Sequence, residues 1–186
     1  GEIMLRDKEF CNLSEVVVKP DDDLDTLLDK VETATWMGVI QSTFTNFPYL
    51  RKKWETNCTV ERLLGVSLTG QLDNWDVLDA TALKALKARA LRIAKRASKV
   101  LGVQEPKAVT CVKPSGTVSQ LVNSASGIHP RYSRYYLRRY RISSSDPLYH
   151  MMKKQDMKFH PEVGQRSKDA TTFVCEFPVM SPEHSL

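Results

Sequence analysis

The chain has 186 residues, of which 41% are hydrophobic and 26% are charged. This length and composition suit one domain with a buried core and exclude a disordered tail. No apolar run approaches the roughly 20 residues that span a bilayer, and no signal peptide is visible, so we expect a cytoplasmic protein without a membrane partner. The formal charge of +5 is a mild bias toward anionic partners such as nucleotides or nucleic acid.

The first half of the chain predicts two strands and two helices. Residues 10–18 are rich in β-branched side chains and read as a buried strand, and Asp23 can cap the helix that follows. A second short strand is predicted at 65–72. The clearest helix is predicted at 79–101, where Gly102 ends it. Its apolar stripe comprises Leu83, Leu86, Ala90, Ile93 and Ala97.

The second half continues the alternation. Strands are predicted at 107–113, 135–143 and 171–179, with a short helix after the first and a helix at 146–157 after the second. Strands that alternate with helices indicate βαβ units and a mostly parallel sheet, so the fold class is α/β. No linker long enough to divide the chain is visible.

The turn between strand 107–113 and its helix is a candidate anion site. A helix N-terminus presents unpaired N–H groups and the positive end of a dipole, which attract phosphate. Gly116 allows close approach of an anion, and the Ser115 and Thr117 hydroxyls add donors. The residues do not match a Walker motif. An ordinary Ser-capped helix after a proline remains the alternative.

A carboxylate and a thiol near the start of the chain are candidates for chemistry. Glu2 and Cys11 lie nine residues apart, and a carboxylate can act as a base while a thiol can act as a reductant. A core cysteine and a solvated glutamate are the alternative. The other cysteines, Cys58, Cys111 and Cys175, lie among apolar or strand residues and are expected to be structural. None of the cysteines or histidines has metal-ligand spacing.

Two basic segments favour a different class of function. The helix at 79–101 carries seven Lys and Arg residues, and the strand at 135–143 interleaves Tyr with Arg. These residues could bind single-stranded nucleic acid by stacking and phosphate pairing. A solvated helix face and a strand with packed aromatic residues are the alternative, which we favour.

Several segments together resemble one family. They are Gly1-Glu2-Ile3, FCNLSE at 10–15, ERLLGVSLTG at 61–70, KPSGT at 113–117, SGIHP at 126–130 and YLRR at 136–139. Nearly the whole chain resembles the class II, adenosylcobalamin-dependent ribonucleotide reductases, and is most similar to the monomeric ribonucleoside-triphosphate reductases. The segments occur in the family's order, which is more specific than any single motif.

The resemblance implies a fold and a set of roles. Residues 1–186 would be a piece of the ten-stranded α/β barrel that forms the catalytic domain. Glu2 would be the base near the ribose 3′ hydroxyl, and Cys11 would be one of two thiols that reduce the 2′ position and end as a disulfide. The phosphates of the substrate would be held by Ser115, Gly116, Thr117 and Val118.

The resemblance also implies parts outside this sequence. Both ends are expected to be cuts through a longer protein, with the radical cysteine just before Gly1 and the thiol partner of Cys11 upstream. The isolated chain is therefore expected to be inactive.

Implied partners are the rest of the reductase chain, a ribonucleotide, and a thioredoxin-like reductant. The implied cofactor is adenosylcobalamin, with no contact assigned to a residue here. An iron-dependent reductase large subunit is the alternative within this chemistry. The spacing of Glu2 and Cys11 disfavours it.

Overall fold

The chain forms two compact units in the computed structural model, which describes residues 3–183 and 185. The first unit contains residues up to 131 together with the end of the chain from 182, and the second contains residues 132–181. The expectation that the whole chain belongs to one catalytic barrel domain stays a prediction, because two such units can both lie within a longer domain. None of the helices in the described part is long and apolar enough to cross a membrane.

The first unit is built on a small parallel sheet. Its elements are β1 (Asn12–Val17), α1 (Leu24–Gln41), α2 (Lys52–Glu61), β2 (Leu64–Thr69), a 3-10 turn (Gln71–Asp73), α3 (Ala80–Leu101) and α4 (Val118–Leu121). Strands β1 and β2 run parallel with Leu13 opposite Gly65. The segment around Thr110 adds one parallel bridge to Val66, so β2 is the middle of three backbone segments.

Helices α1 and α3 share one hydrophobic core with the strands. The buried members include Val16, Leu64 and Val66 from the sheet, Leu27, Val31 and Val39 from α1, and Leu86, Ala90 and Ala97 from α3. Because side chains alternate across a strand, Leu64 and Val66 pack into this core while Gly65 faces the other way. The sheet therefore has a second face, opposite the core.

The ends of the long helices follow the sequence prediction. The Asp23 carboxylate accepts a hydrogen bond from the Thr26 N–H at 2.8 Å, and the Asp79 carboxylate accepts one from the Ala82 N–H at 2.6 Å. Gly102 ends α3 in the left-handed conformation. The predicted apolar stripe is confirmed except for Leu83, which is exposed.

The second unit is an antiparallel sheet with one helix. Its elements are β3 (Tyr135–Ser143), α5 (Pro147–Lys154), β4 (Phe159–Pro161) and β5 (Thr172–Met180). Strand β5 lies between β3 and β4 and is antiparallel to both. The prediction of a mostly parallel sheet is wrong for this unit. Strand β3, helix α5 and strand β4 do form a βαβ unit, but β5 is inserted between its two strands.

Other differences concern short or polar elements. The predicted strand at 107–113 forms one bridge to β2, between Thr110 and Val66, and further backbone hydrogen bonds join Ala108, Val109 and Cys111 to Leu64 and Val66. Helix α2 was not predicted, since Cys58 is its one buried side chain and it has no apolar stripe. Strand β4 was not predicted either, because it has only three residues.

Candidate functional site

Two cysteine side chains meet on the face of the sheet that is opposite the core. Cys11 lies just before β1, and Cys111 follows the bridge at Thr110. A Cβ atom placed on Gly65, in the middle strand, would lie 3.3 Å from Cys11 Sγ and 2.9 Å from Cys111 Sγ. It would also lie 2.4 Å from Leu13 Cδ2. Any side chain at position 65 would therefore displace its neighbours, and glycine lets both sulfurs lie over the central strand.

An ion pair joins the same face of β1 to the segment that leads into the candidate phosphate turn. Lys113 Nζ lies 3.2 Å from Glu15 Oε2, and the two side chains are 19% and 6% exposed. The other carboxylate oxygen of Glu15, Oε1, is buried and accepts no hydrogen bond among the described residues. The ion pair fixes the backbone at Lys113 relative to the strand that Cys11 precedes.

The candidate phosphate turn has an exposed rim on a buried base. Ser115 is buried, and its Oγ lies 2.9 Å from Ser126 Oγ. Gly116, Thr117 and Val118 are exposed, and Gly116 has a φ of +54°. Among the described residues, no acceptor bonds the N–H groups of Ser115, Gly116 and Thr117. Successive free N–H groups around a left-handed residue form a concave anion site.

The helix after this turn contributes less than the sequence suggested. Helix α4 has four residues, and its N-cap is Thr117, which makes no side-chain capping bond. Ser115 does not cap it, because the Ser115 hydroxyl bonds Ser126 instead. A helix of four residues has almost no macrodipole, so any affinity for an anion must come from the backbone N–H groups of the turn.

The loop at residues 125–127 contacts the candidate phosphate turn through Ser126. The Thr69 hydroxyl, at the end of β2, accepts a hydrogen bond from the Gly127 N–H at 2.8 Å and donates one to the Ala125 carbonyl at 3.2 Å. Asp73 accepts a hydrogen bond from the Ala125 N–H at 2.8 Å and two from the Arg131 guanidinium, each at 2.8 Å. The Arg131 and Asp73 side chains are 3% and 1% exposed. This buried pair fixes the loop that carries Ser126.

The two remaining cysteines differ from the pair at Gly65. Burial raises the pKa of the Cys58 thiol, and its sulfur accepts a hydrogen bond from the Phe10 N–H at 3.4 Å. Burial also raises the pKa of the Cys175 thiol. A raised pKa leaves little thiolate at neutral pH, so neither thiol is a good nucleophile there.

The structure describes every predicted site residue except Glu2. Cys11 and the turn belong to the same unit, with Cys11 at the start of β1 and Ser115 beyond the adjacent sheet segment. Glu2 lies outside the described residues. Cys111, expected to be structural, lies at Gly65 beside Cys11. The pattern that could have found it is the alternation of Cys111 and Lys113 on one face, next to a glycine in a neighbouring strand.

Other candidate features do not converge on a site. Within the described residues, no three His, Cys, Asp or Glu side chains come together as a metal site. The basic side chains of α3 are exposed, except that Arg89 is half-buried and pairs with Glu32 at 2.7 Å. The arginines at 139 and 141 in β3 pair with Glu176 and Glu162. This neutralisation weakens the case for a nucleic-acid surface.

Comparisons with known proteins point to one group. No family model matches the chain. The adenosylcobalamin-dependent ribonucleoside-triphosphate reductase of Levilactobacillus brevis is 40% identical over 44% of the chain and 10% of its own length. The enzyme of the same name from Lactobacillus delbrueckii subsp. bulgaricus is 29% identical over 96% of the chain and 27% of its own length. The chain thus spans at most about a quarter of either relative.

A solved structure gives the same result. The crystal structure of a B-12-dependent (class II) ribonucleotide reductase matches with a TM-score of 0.76 and 26% identity, over 97% of the chain and 28% of that structure. The mixed α/β fold therefore matches that of a class II ribonucleotide reductase. Over most of its length, the chain is homologous to the adenosylcobalamin-dependent ribonucleoside-triphosphate reductases.

Proposed function

We propose that this chain supplies the phosphate-binding turn and one reducing thiol to the ribonucleotide site of an adenosylcobalamin-dependent ribonucleoside-triphosphate reductase. The observation that carries the proposal is the ion pair between Glu15 and Lys113. It joins the strand after Cys11 to the residue before the turn. A thiol and an anion site are thus held on one rigid sheet, as a substrate with a phosphate end and a reacting sugar requires.

The phosphates would bind to the rim of the turn. The N–H groups of Ser115, Gly116 and Thr117 would donate to phosphate oxygens, and the Thr117 hydroxyl would add another donor. The N–H of Val118 already donates to the Ser115 carbonyl at 3.1 Å. Val118 would therefore close the turn and would not contact phosphate through its N–H.

Cys11 would act at the ribose end. Reduction of the 2′ position breaks the carbon–oxygen bond, forms a carbon–hydrogen bond and releases water. The two electrons come from two thiols, which become a disulfide. Cys11 would be one of them, with Glu2 as the base at the 3′ hydroxyl. A thioredoxin-like partner would then return the disulfide to thiols.

The cofactor has no assigned place on this chain. The described residues contain no cluster of metal ligands. We therefore assign no contact with adenosylcobalamin to any of them. The proposal is therefore limited to what these residues do: bind phosphate, hold the turn and supply a thiol.

A binding experiment tests the phosphate role. The backbone amide signals of Gly116 and Thr117 would be followed by NMR while ATP, inorganic triphosphate or adenosine is added to the protein. We expect ATP and triphosphate to shift these signals and adenosine to leave them unchanged. Equal shifts with adenosine, or no shift with either phosphate ligand, would refute the assignment.

A further inference from the structure

Helix α2 contacts the segment at 6–10, which leads into Cys11, along one of its faces. The helix has no apolar stripe, and residues 54, 57, 58 and 61 share a face because they follow the spacing i, i+3, i+4 and i+7. The residues of this face that contact the segment are Trp54, Asn57, Cys58 and Glu61. The helix therefore packs on the segment through a continuous face.

Hydrogen bonds hold a left-handed turn within this segment. The Asn57 side chain donates to the carbonyl of Asp7 at 2.8 Å and to that of Lys8 at 3.3 Å. Lys8 has a φ of +64°, which a residue with a side chain rarely adopts. The Glu9 carboxylate accepts a hydrogen bond from the Arg6 N–H at 2.9 Å and closes the turn. Such a conformation persists only where its surroundings hold it.

The residues on either side of Cys11 are anchored as well. Before it, the Phe10 ring stacks on the Trp54 ring, with the centroids 4.5 Å apart. After it, the backbone N–H and the side-chain amide of Asn12 both donate to the Leu63 carbonyl, at 2.8 Å and 3.1 Å. The backbone is therefore held on both sides of the thiol.

We propose that Asn57 and Trp54 are positioning residues for the Cys11 thiol. The inference rests on the proposed function, in which Cys11 supplies a reducing thiol. A reacting group must be held within about 0.5 Å of its productive position. Asn57 would meet this need by holding the turn at Lys8, and Trp54 by holding the ring of Phe10.

Asn74 provides a matched control at the other end of β1. Its side chain also donates to two backbone carbonyls, those of Lys19 at 2.9 Å and Asp22 at 2.7 Å. Both carbonyls belong to the turn that follows β1. Asn74→Ala therefore removes the same kind of contact without touching the segment at 6–10.

The reactivity of the half-buried Cys11 thiol tests the positioning. Trypsin places each of the four cysteines in a different peptide, so mass spectrometry gives the rate at which iodoacetamide alkylates each thiol. We expect Asn57→Ala to raise the rate at Cys11 about fivefold, the factor for one lost hydrogen bond, because the loosened segment exposes the thiol. Asn74→Ala should leave this rate unchanged. No rise in Asn57→Ala, or an equal rise in both variants, would overturn the proposal.

Turnover separates this role from a purely structural one. In the active reductase, Asn57→Ala should lower kcat by about tenfold or more, because a reacting group displaced by about 1 Å slows the chemistry. KM for the ribonucleoside triphosphate should stay the same, since the phosphate turn is intact. Parent kcat in Asn57→Ala would end the positioning role and leave the proposed function standing. Parent turnover in Cys11→Ser would end the proposed function instead.

A second variant decides the question if Asn57→Ala does not fold. Trp54→Leu removes the ring that stacks on Phe10 and leaves both hydrogen bonds of Asn57 in place. We expect it to raise the alkylation rate at Cys11 and to lower kcat in the same direction. Parent values of both in Trp54→Leu would show that α2 does not position the thiol.

Discussion

The hydroxyl of Ser115 lies 2.9 Å from the hydroxyl of Ser126, and this contact connects the candidate phosphate turn to the loop beneath it. Ser115 is 3% exposed, so its hydroxyl sits under the exposed rim of the turn. Its part in phosphate binding would then be to position the backbone N–H groups.

The first prediction follows from this contact. Ser115→Ala should weaken the binding of inorganic triphosphate by at most about 1.5 kcal/mol, the upper end of the range for one lost hydrogen bond between neutral groups. Ser126→Ala should have a similar effect, and the double variant should cost little more than either single change, because both remove one contact. Isothermal titration of all three variants measures this. Additive losses would show that the two hydroxyls act separately.

Gly116 allows a second prediction with a matched control. Gly116 and Gly102 both have a left-handed φ, and an added Cβ would meet nothing within 4 Å at either position. Gly116→Ala and Gly102→Ala should each lower the free energy of unfolding by about 1–2 kcal/mol, the cost of this conformation for an L-residue. Only Gly116→Ala should also weaken triphosphate binding. Urea denaturation and titration together check both parts, and equal affinity for the two variants would remove the turn from the site.

The buried pair of Asp73 and Arg131 should matter for stability. Asp73→Asn removes the carboxylate from its buried ion pair with Arg131 and should cost about 3–5 kcal/mol. The control is Glu176→Gln, which breaks the more exposed pair with Arg139 at 2.8 Å and should cost at most about 1 kcal/mol. Unfolding by urea gives both values. Similar losses would mean that burial of the Asp73 pair contributes nothing.

Cys11 allows a test of chemistry apart from binding. In the active reductase, Cys11→Ser should abolish deoxynucleotide formation, since serine cannot supply the electron that a thiol supplies. The affinity for ribonucleoside triphosphate should stay the same. Cys11 precedes the first residue of β1, whereas the turn follows the other end of the neighbouring sheet segment that contains Thr110. Product at near the parent rate would make Cys11 a packing residue.

The buried thiols should show a pH signature. Burial raises the pKa of Cys58 and of Cys175, so their thiolates form in the folded protein only above the pH at which ordinary thiols ionise. The protonated thiols stabilise the folded state fully below the unfolded-state pKa. This contribution to stability is lost as the pH rises through the raised folded-state pKa. Iodoacetamide should therefore label them slowly at neutral pH and faster in alkali. Labelling at the rate of a free thiol at neutral pH would contradict the shift.

Local signals in the sequence predicted the long elements well. Asp23, Asp79 and Gly102 mark helix ends by chemistry that acts within a few residues, and the structure confirms them. The resemblance to class II reductases also agrees with the comparisons. The insertion of β5 between β3 and β4 could not be predicted from local sequence patterns, because strand order depends on contacts between residues far apart in the sequence.

The candidate site was predicted only in part for the same reason. Cys11 and the turn could be named from motifs, but their roles remain proposals. The position of Cys111 over Gly65 depends on the register of three separate segments, which hydrophobic patterning does not specify. Ser126 belonged to a recognised motif, yet nothing in the sequence indicated that its hydroxyl would bond Ser115.

The parallel pairing of β1 and β2 has a consequence for how the protein folds. Asn12 pairs with Leu64, and Lys113 reaches back to Glu15 from 98 residues away. Contacts so distant along the chain require large loops to close before any pairing stabilises them, and this slows folding. We therefore expect helices α1 and α3 to gain protection from hydrogen exchange early in refolding. The amides of β1 and β2 that pair in the sheet should become protected last.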